Sequence, residues 1–595
     1  VSTDRGVIYC FGSNAPASPK FIQPNVVYRP YGENTQNAER AKVILQRSGV
    51  REGYALDMGC GDGALAHELA RQSDLFVYAI DSDPNMVELA REKLDAAGVY
   101  GVSVAVHVEN PFAMHYPDYF ADLVVSSRSM REGGDSVSLG EAKRVQRPCG
   151  GVVMIGNPAT CEISIRGLLP GSGEWTHQYT NPANTLCSSD ARVGGPLHML
   201  WYKDNTLRMA QRHGRPPAPL FHEGRIFSEG KDALRAVDAY NGRVLWEYPL
   251  PGVLRQYDQD HLMGTAGTGS NFCAADGRIY LHTQDRVLCL DAATGKAAHE
   301  YGVPTQPNGE PGTWGYIACA DGILFGSVAD TRHVVKWRYI KGRMDKQYTE
   351  SHSFFAMDAQ TGEVIWRYDA KDSIRHNTIC IGEDVVYLID RPQAEFDRIN
   401  YAKRRGEEST HPLGMLVALN KQTGKELWRN EKNIYGTMLA LSETYGMLLM
   451  TYQPTRFRLR SEIGGRMAAF HAHSGKRIWD IEADYASRPL INGKTAYAQP
   501  GAWDLLTGAK RDFTFERSYG CGTLAASKNM LVFRSGTLSY RDLRHDREVQ
   551  NYGGIRSGCW IDILPAGGLV LLPNSANGCV CSYLNLASIA LQPVD

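Results

Sequence analysis

Net charge is almost absent from this sequence: 64 Lys and Arg stand against 65 Asp and Glu, leaving −1, and the basic residues are scattered. That removes the electrostatic footprint of a phosphate backbone or an acidic lipid surface, and argues against nucleic acid as a partner. Long apolar runs are missing too. None approaches the roughly 20 residues that a bilayer-crossing helix needs, and no basic-apolar-small leader precedes the first domain. The thirteen cysteines contain no C-x-x-C pair, which excludes zinc ribbons and leaves buried thiols or a few disulfides. No metal site is expected. Phosphate-binding loops of the Walker type, H-E-x-x-H zinc motifs and nucleophile elbows are also lacking.

What is plentiful is glycine, 60 in 595 residues, which implies many tight turns. Past residue 200 one phrase recurs: "LRAVDAYNGRVLWEY" (234–248), "VLCLDAATGKAAHEY" (287–301), "FFAMDAQTGEVIWRY" (354–368), "LVALNKQTGKELWRN" (416–430) and "MAAFHAHSGKRIWDI" (467–481). Each copy is a strand of alternating apolar residues, a turn ending in Gly, and a second strand carrying a large apolar residue. Gly242, Gly295, Gly362, Gly424 and Gly475 supply the positive φ of a tight hairpin. Trp246, Trp366, Trp428 and Trp479 are expected to wedge between neighbouring sheets, covering area that a single four-stranded sheet leaves open. Weaker copies at 502–513 and 538–549, the opening strands and the C-terminal "SIALQPV" bring the total to about eight modules. The repeat resembles the quinoprotein-type (PQQ-like) β-propeller blade, with its A-x-D-x-x-T-G-x-x-x-W signature, over roughly residues 200–595. That resemblance implies an all-β, eight-bladed propeller, in a family that includes both dehydrogenases and pure scaffolds.

Residues 30–158 break the pattern. Alternating strands and amphipathic helices predict a parallel α/β sheet of about five strands, inserted into the propeller after residues 1–29 and followed by a connector at 159–199. Its first strand runs into "ALDMGCGDGALA" (55–66). Gly59, Gly61 and Ala64 satisfy the dinucleotide fingerprint, so the glycines leave NAD and other nucleosides open. Asp57 narrows the choice: its carboxylate stands where a pyrophosphate would be repelled and where a cationic, phosphate-free ligand would be favoured. Asp81, ending "VYAID" eighteen residues after Gly63, has the spacing of a carboxylate that accepts ribose hydroxyls.

The succession D-x-G-x-G-x-G, "AIDSDPNMVELAREKL", "FADLVVSS" and "EAKRVQRPCGGVVMIG" resembles a class I methyltransferase dependent on S-adenosylmethionine (SAM). The resemblance implies that Gly59, Gly61 and Gly63 let the backbone approach SAM, with Asp57 near its methionine part and Asp81 on its ribose. Glu109 and Asn110 would lie beside the adenine, and Ser126 and Ser127 would face the methyl. No catalytic base is named by "SSRSMREGG", and methyl transfer can proceed by alignment alone. The usual helix and antiparallel strand pair after "GVVMIG" are replaced by "NPATCEISIRGLLPGSGEWTHQY".

Other constellations carry less. A quinone-dependent dehydrogenase would place an adjacent Cys-Cys pair against its quinone; none is present, which argues against bound PQQ. Cys521 and Cys559 fall at equivalent places in successive modules, and "NGCVCSY" adds Cys579 and Cys581; disulfides, a soft metal or plain burial are open readings. His261, His376, Arg488, Tyr519 and Arg556 are expected around a polar channel mouth. The expected activity is methyl transfer from SAM to a small-molecule or protein acceptor held between the two parts, with the propeller as binding platform. The alternative is a non-catalytic propeller scaffold of the cell envelope with a vestigial insert. Val1 and the strand-like start suggest a processed, exported chain; the cytosolic supply of SAM points the other way. A sheet short of its last strands makes an oligomer a further expectation.

Overall fold

The computed structural model describes Gly12, residues 30–33 and residues 35–595, except for 210–215, 255–269, 307–308, 336–347, 399–410, 455–457, 519, 521, 546–547, 559, 576–582, 584 and 595. Two compact units divide the chain, residues 1–166 and 167–595.

The first unit is a doubly wound sheet. Its elements run α1 (Thr35–Ser48), β1 (Glu52–Met58), α2 (Ala64–Arg71), β2 (Asp74–Asp81), α3 (Pro84–Ala96), β3 (Val104–Val108), β4 (Leu123–Val125), α4 (Ser127–Glu132), α5 (Leu139–Val145), β5 (Val152–Met154) and β6 (Ser164–Ile165). The sheet order is β3-β2-β1-β4-β5-β6. The first five strands are parallel and β6 lies antiparallel to β5, so the sheet has one short strand more than the sequence implies. Alternation along β1 explains the two layers. Ala55 packs with Ile44, Leu69 and Leu94 from α1, α2 and α3, while its neighbour Leu56 packs on the opposite face with Ala142 and Val145 of α5. The order reverses between β1 and β4, and in such sheets the crevice beyond the strand ends at that reversal is where ligands bind.

In the second unit eight antiparallel blades of four strands follow one another, at residues 220–249, 272–302, 314–375, 380–434, 438–482, 490–514, 525–551 and 564–593, the third and fourth joined into one eight-stranded sheet by the Ile374–Asp390 pair. The last is completed by β7 (Leu197–Asp204), hydrogen-bonded along Ala587–Pro593. The ring therefore closes on a strand that precedes the first blade, within residues 197–593. The opening strands read at residues 1–29 lie outside the described residues, apart from Gly12.

Successive blades interlock through one repeated contact. Trp366 donates its indole N–H to Lys421 O across 2.8 Å and lies flat on the turn of the next blade, where a Cβ on Gly424 would stand 2.6 Å from the ring. The same donation recurs from Trp201, Trp246, Trp428 and Trp479 to Ala239, Ala292, Ala472 and Leu505, with Tyr301 substituting in one blade. The turn glycine thus answers two demands at once: Gly424 has φ +66°, and it must also leave room for an aromatic plane.

A strap of residues 173–190 visits the inner strand or inner hairpin of every blade in turn. Gly173 O accepts from Gly567 N of the eighth blade, Trp175 exchanges both backbone bonds with Phe221 of the first, and Thr176 O accepts from Ala274 N of the second. His177 Nε2 accepts from Cys319 N of the third. Pro182, Ala183, Thr185 and Leu186 then accept from Ile381, Leu441, Ile491 and Ala526 of blades four to seven. Asp190 closes the circle: its buried carboxylate accepts from Gly173 N (2.9 Å), Gly568 N (2.7 Å), Arg192 N and Val193 N. The stretch read as a connector is a ring lining the inner ends of the blades.

Candidate functional site

The glycine turn leaves β1 at the sheet's reversal point. Gly59, Gly61 and Gly63 take φ of +69°, +59° and +79°, a left-handed run that residues with a Cβ adopt only under strain. Asp81, 2% exposed at the end of β2, accepts from Gly61 N (3.0 Å) and Asp83 N (3.1 Å). The turn is thereby fixed against the second strand. Asp83 in turn caps α3 by accepting from Asn85 N, with Pro84 as first helical residue. Gly63 backs onto Leu94, Ala90 and the Tyr31 hydroxyl, and Tyr31 donates to Asp62 O (3.0 Å).

The acids of this turn are engaged from within. Asp57 is fully buried and accepts from both the backbone N–H and the hydroxyl of Ser127, each at 2.7 Å. Burial pushes its carboxyl up to about 6, against the opposing pull of those two bonds and of Arg131. On Asp81, the oxygen that accepts from Asp83 N also accepts from Arg128, whose Nη2 lies 2.9 Å away and donates to Ser82 Oγ as well. Arg131 donates to Gly59 O (3.2 Å) and lies alongside Gly61. The Arg128 side chain packs directly on Gly59.

Four contacts thus dock α4 across the crevice, and the sequence made only its serines candidates. Ser126, expected to face the methyl, instead donates to Met58 O (2.7 Å) and caps α4 by accepting from Ser129 N (2.9 Å). Ser127 lies on Asp57. Glu109 continues the turn after β3, its backbone N–H donating to Asp81 O (3.0 Å), and its carboxylate meets His115 Nδ1 at 3.1 Å. Asn110 accepts from Phe112 N (3.0 Å), forming a local turn. Arg128 and Arg131 were the missed residues, although two cations within five residues of the candidate serines were a readable signal.

In the propeller, the strap turns Tyr179 inward. Its hydroxyl meets Asn377 Oδ1 (3.2 Å) and Gln453 Oε1 (3.4 Å), and the Arg488 guanidinium lies 3.3 Å from its ring centroid. His376, Arg488 and Arg556 are all fully or almost fully buried. A polar cavity is lined by His177, Tyr179, Asn184, Tyr316, His376 and Asn377. His261, Tyr519, Cys521, Cys559, Cys579 and Cys581 lie outside the described residues. Among the described residues no group of three or more His, Cys, Asp or Glu side chains is placed to hold a metal ion.

Nearby, Arg375 holds three buried carboxylates together: Glu350 and Asp397 at 3.0 Å, and Glu462 at 3.1 Å. All four side chains are at most 1% exposed. Ser461, Ser373, Thr437 and Gln453 N supply further hydrogen bonds to the acids. This network joins the third, fourth and fifth blades.

Fold and site together define a two-part chain: a methyltransferase-type α/β unit and an eight-bladed quinoprotein-type propeller. Residues 171–325 and 346–551 match the family described as outer membrane protein assembly factor BamB, and the chain belongs to that family. Residues 55–150 match the methyltransferase domain family. Among curated proteins, the chain is 28% identical over 218 residues to quinohemoprotein alcohol dehydrogenase ADH IIB of Pseudomonas putida, covering 35% of this chain and 28% of that protein. The match spans little more than a quarter of that relative's length. Among solved structures, quinohemoprotein alcohol dehydrogenase of Comamonas testosteroni shares 13% identity over 71% of this chain and 82% of its own, with a TM-score of 0.44. A SAM-dependent methyltransferase of Aquifex aeolicus shares 28% identity over 18% of this chain and 58% of its own, with a TM-score of 0.16. Among the described residues no helix is long and apolar enough to cross a membrane.

Proposed function

We propose that the α/β unit binds SAM at the glycine turn and transfers its methyl to a small-molecule or protein acceptor, with the propeller as a binding platform. The observation that carries this reading is the left-handed Gly59–Gly61–Gly63 run pinned by the Asp81 carboxylate at the sheet's reversal point. Gly59, Gly61 and Gly63, with no side chains of their own, let a nucleoside approach the backbone, and Asp81 is the acceptor for ribose hydroxyls. Asp57, buried behind the turn and held by Ser127, acts on this site by anchoring the start of α4. SAM supplies a methyl already activated on a sulfonium. The protein's contribution is therefore alignment, worth several orders of magnitude without an acid or base.

A second reading is favoured by a different observation. Arg128 occupies the carboxylate that the ribose needs, and the propeller family includes an assembly factor, which supports a scaffold whose α/β unit no longer catalyses. Calorimetric titration of the full chain with S-adenosylhomocysteine separates the two. Saturable binding lost in Asp81→Ala supports the methyltransferase. Silence at millimolar ligand, from both the wild type and a variant lacking the Arg128 guanidinium, overturns it.

A further inference from the structure

We propose that α4 is an internal latch on the nucleoside crevice, with Arg128 standing in for the ribose on Asp81. The inference rests on the SAM-binding reading and concerns how that site is kept closed. Four observations converge on it. First, α4 follows β4 and the glycine turn follows β1, so the helix emerges at the crevice of the reversal point. Second, its residues dock there in succession: Ser126 on Met58 O, Ser127 on Asp57, Arg128 on Asp81 and Arg131 on Gly59 O. Third, the Arg128 side chain fills the space directly over Gly59 that the absent glycine side chain leaves. Fourth, the Arg128–Asp81 pair is largely removed from water, 19% and 3% exposed, so salt screens it little.

Charge makes the contact inhibitory toward this ligand. SAM is cationic at both its sulfonium and its ammonium. While the helix is docked, Arg128 neutralises Asp81, and Arg128 and Arg131 together present two like charges to the incoming ligand. Moving α4 uncovers the Asp81 carboxylate and withdraws both cations together, because the two arginines lie one turn apart on the same six-residue helix. Ligand binding and docking of the latch are thus competing events, and the observed affinity is the intrinsic one multiplied by the fraction of open molecules.

The test is calorimetric titration of S-adenosylhomocysteine into the full chain, as wild type, Arg128→Met and Arg128→Gln; either variant suffices if the other misfolds. The expected result is binding at least tenfold tighter in the variant than in the wild type, with the gain abolished by adding Asp81→Ala. Equal affinities within twofold overturn the latch and leave the methyltransferase reading standing. Weaker binding by the variant also overturns it, since Arg128 is then a ligand contact. No binding by any form overturns both. Hydrogen exchange of residues 127–133 gives an independent readout in the binding form: saturating ligand should speed it as α4 undocks, and unchanged or slower exchange contradicts the latch.

Discussion

Replacing Arg375 by Met is the sharpest test of how the propeller is held together. The guanidinium is fully buried, within 3.0–3.1 Å of Glu350, Asp397 and Glu462. Methionine keeps much of the volume but leaves three buried carboxylates without their counter-charge. Removing one partner of a single buried pair costs about 3–5 kcal/mol, so the loss here should reach at least that range. Protonation should then partly relieve it. Burial alone would raise the Glu350 carboxyl, but in the wild type Arg375 and the neighbouring His333 and Arg391 outweigh burial and hold it below the ordinary glutamate value. A depressed carboxyl stabilises the fold above its unfolded pKa, and that stability is lost as pH falls through the folded pKa. In Arg375→Met the Glu350 shift reverses, so the variant gains relative stability as pH falls. Calorimetric unfolding of the propeller transition at pH 7.5 and pH 5 reads both effects. A loss below about 1 kcal/mol, or a gap between variant and wild type that does not narrow at pH 5, refutes the account of the network.

Three further outcomes follow from the same geometry. Asp57→Asn should stabilise the α/β unit above pH 6: the wild-type carboxyl is raised from 3.8 to about 6, a cost of roughly 3 kcal/mol at 1.36 per unit. That advantage should fade as pH falls from about 6 toward 3.8 and vanish below it, where the wild-type group is protonated in both states, and pH-dependent melting checks it. Trp366→Ala should cost about 3–5 kcal/mol by removing the plane on Gly424 and the bond to Lys421 O, as read by denaturant unfolding; an effect under 1 kcal/mol would contradict the interlock. Asp190→Ala leaves four backbone N–H groups without their acceptor, and hydrogen exchange at 173–193 should accelerate while exchange in the outer strands stays unchanged.

Most of the architecture was readable because each blade repeats the same local demands. The turn glycine and, in four copies, the Trp four residues beyond it recur visibly, and both have fixed roles in the interlock. The α/β elements were equally plain, since alternating strands, "ALAHELAR" and "PNMVELAREKLDA" leave little ambiguity of period. What escaped was structure made by contacts distant in sequence. Residues 173–190 have neither period, so nothing local announces that their carbonyls serve seven blades and the His177 ring the remaining one. Glu350, Arg375, Asp397 and Glu462 belong to no local motif; only the closed ring brings them together. At the candidate site the motif was legible but its occupancy was not. Asp57 and Asp81 were identified as acids facing a ligand, while the residues that satisfy them lie 70 and 47 positions away.

The most direct measurement is an experimental structure of the full chain at saturating S-adenosylhomocysteine. The account predicts nucleoside density against Gly59–Gly63, with the ribose on Asp81 and Arg128 swung away from it. Density for Arg128 still paired with Asp81, and none for a nucleoside at the turn, would contradict it.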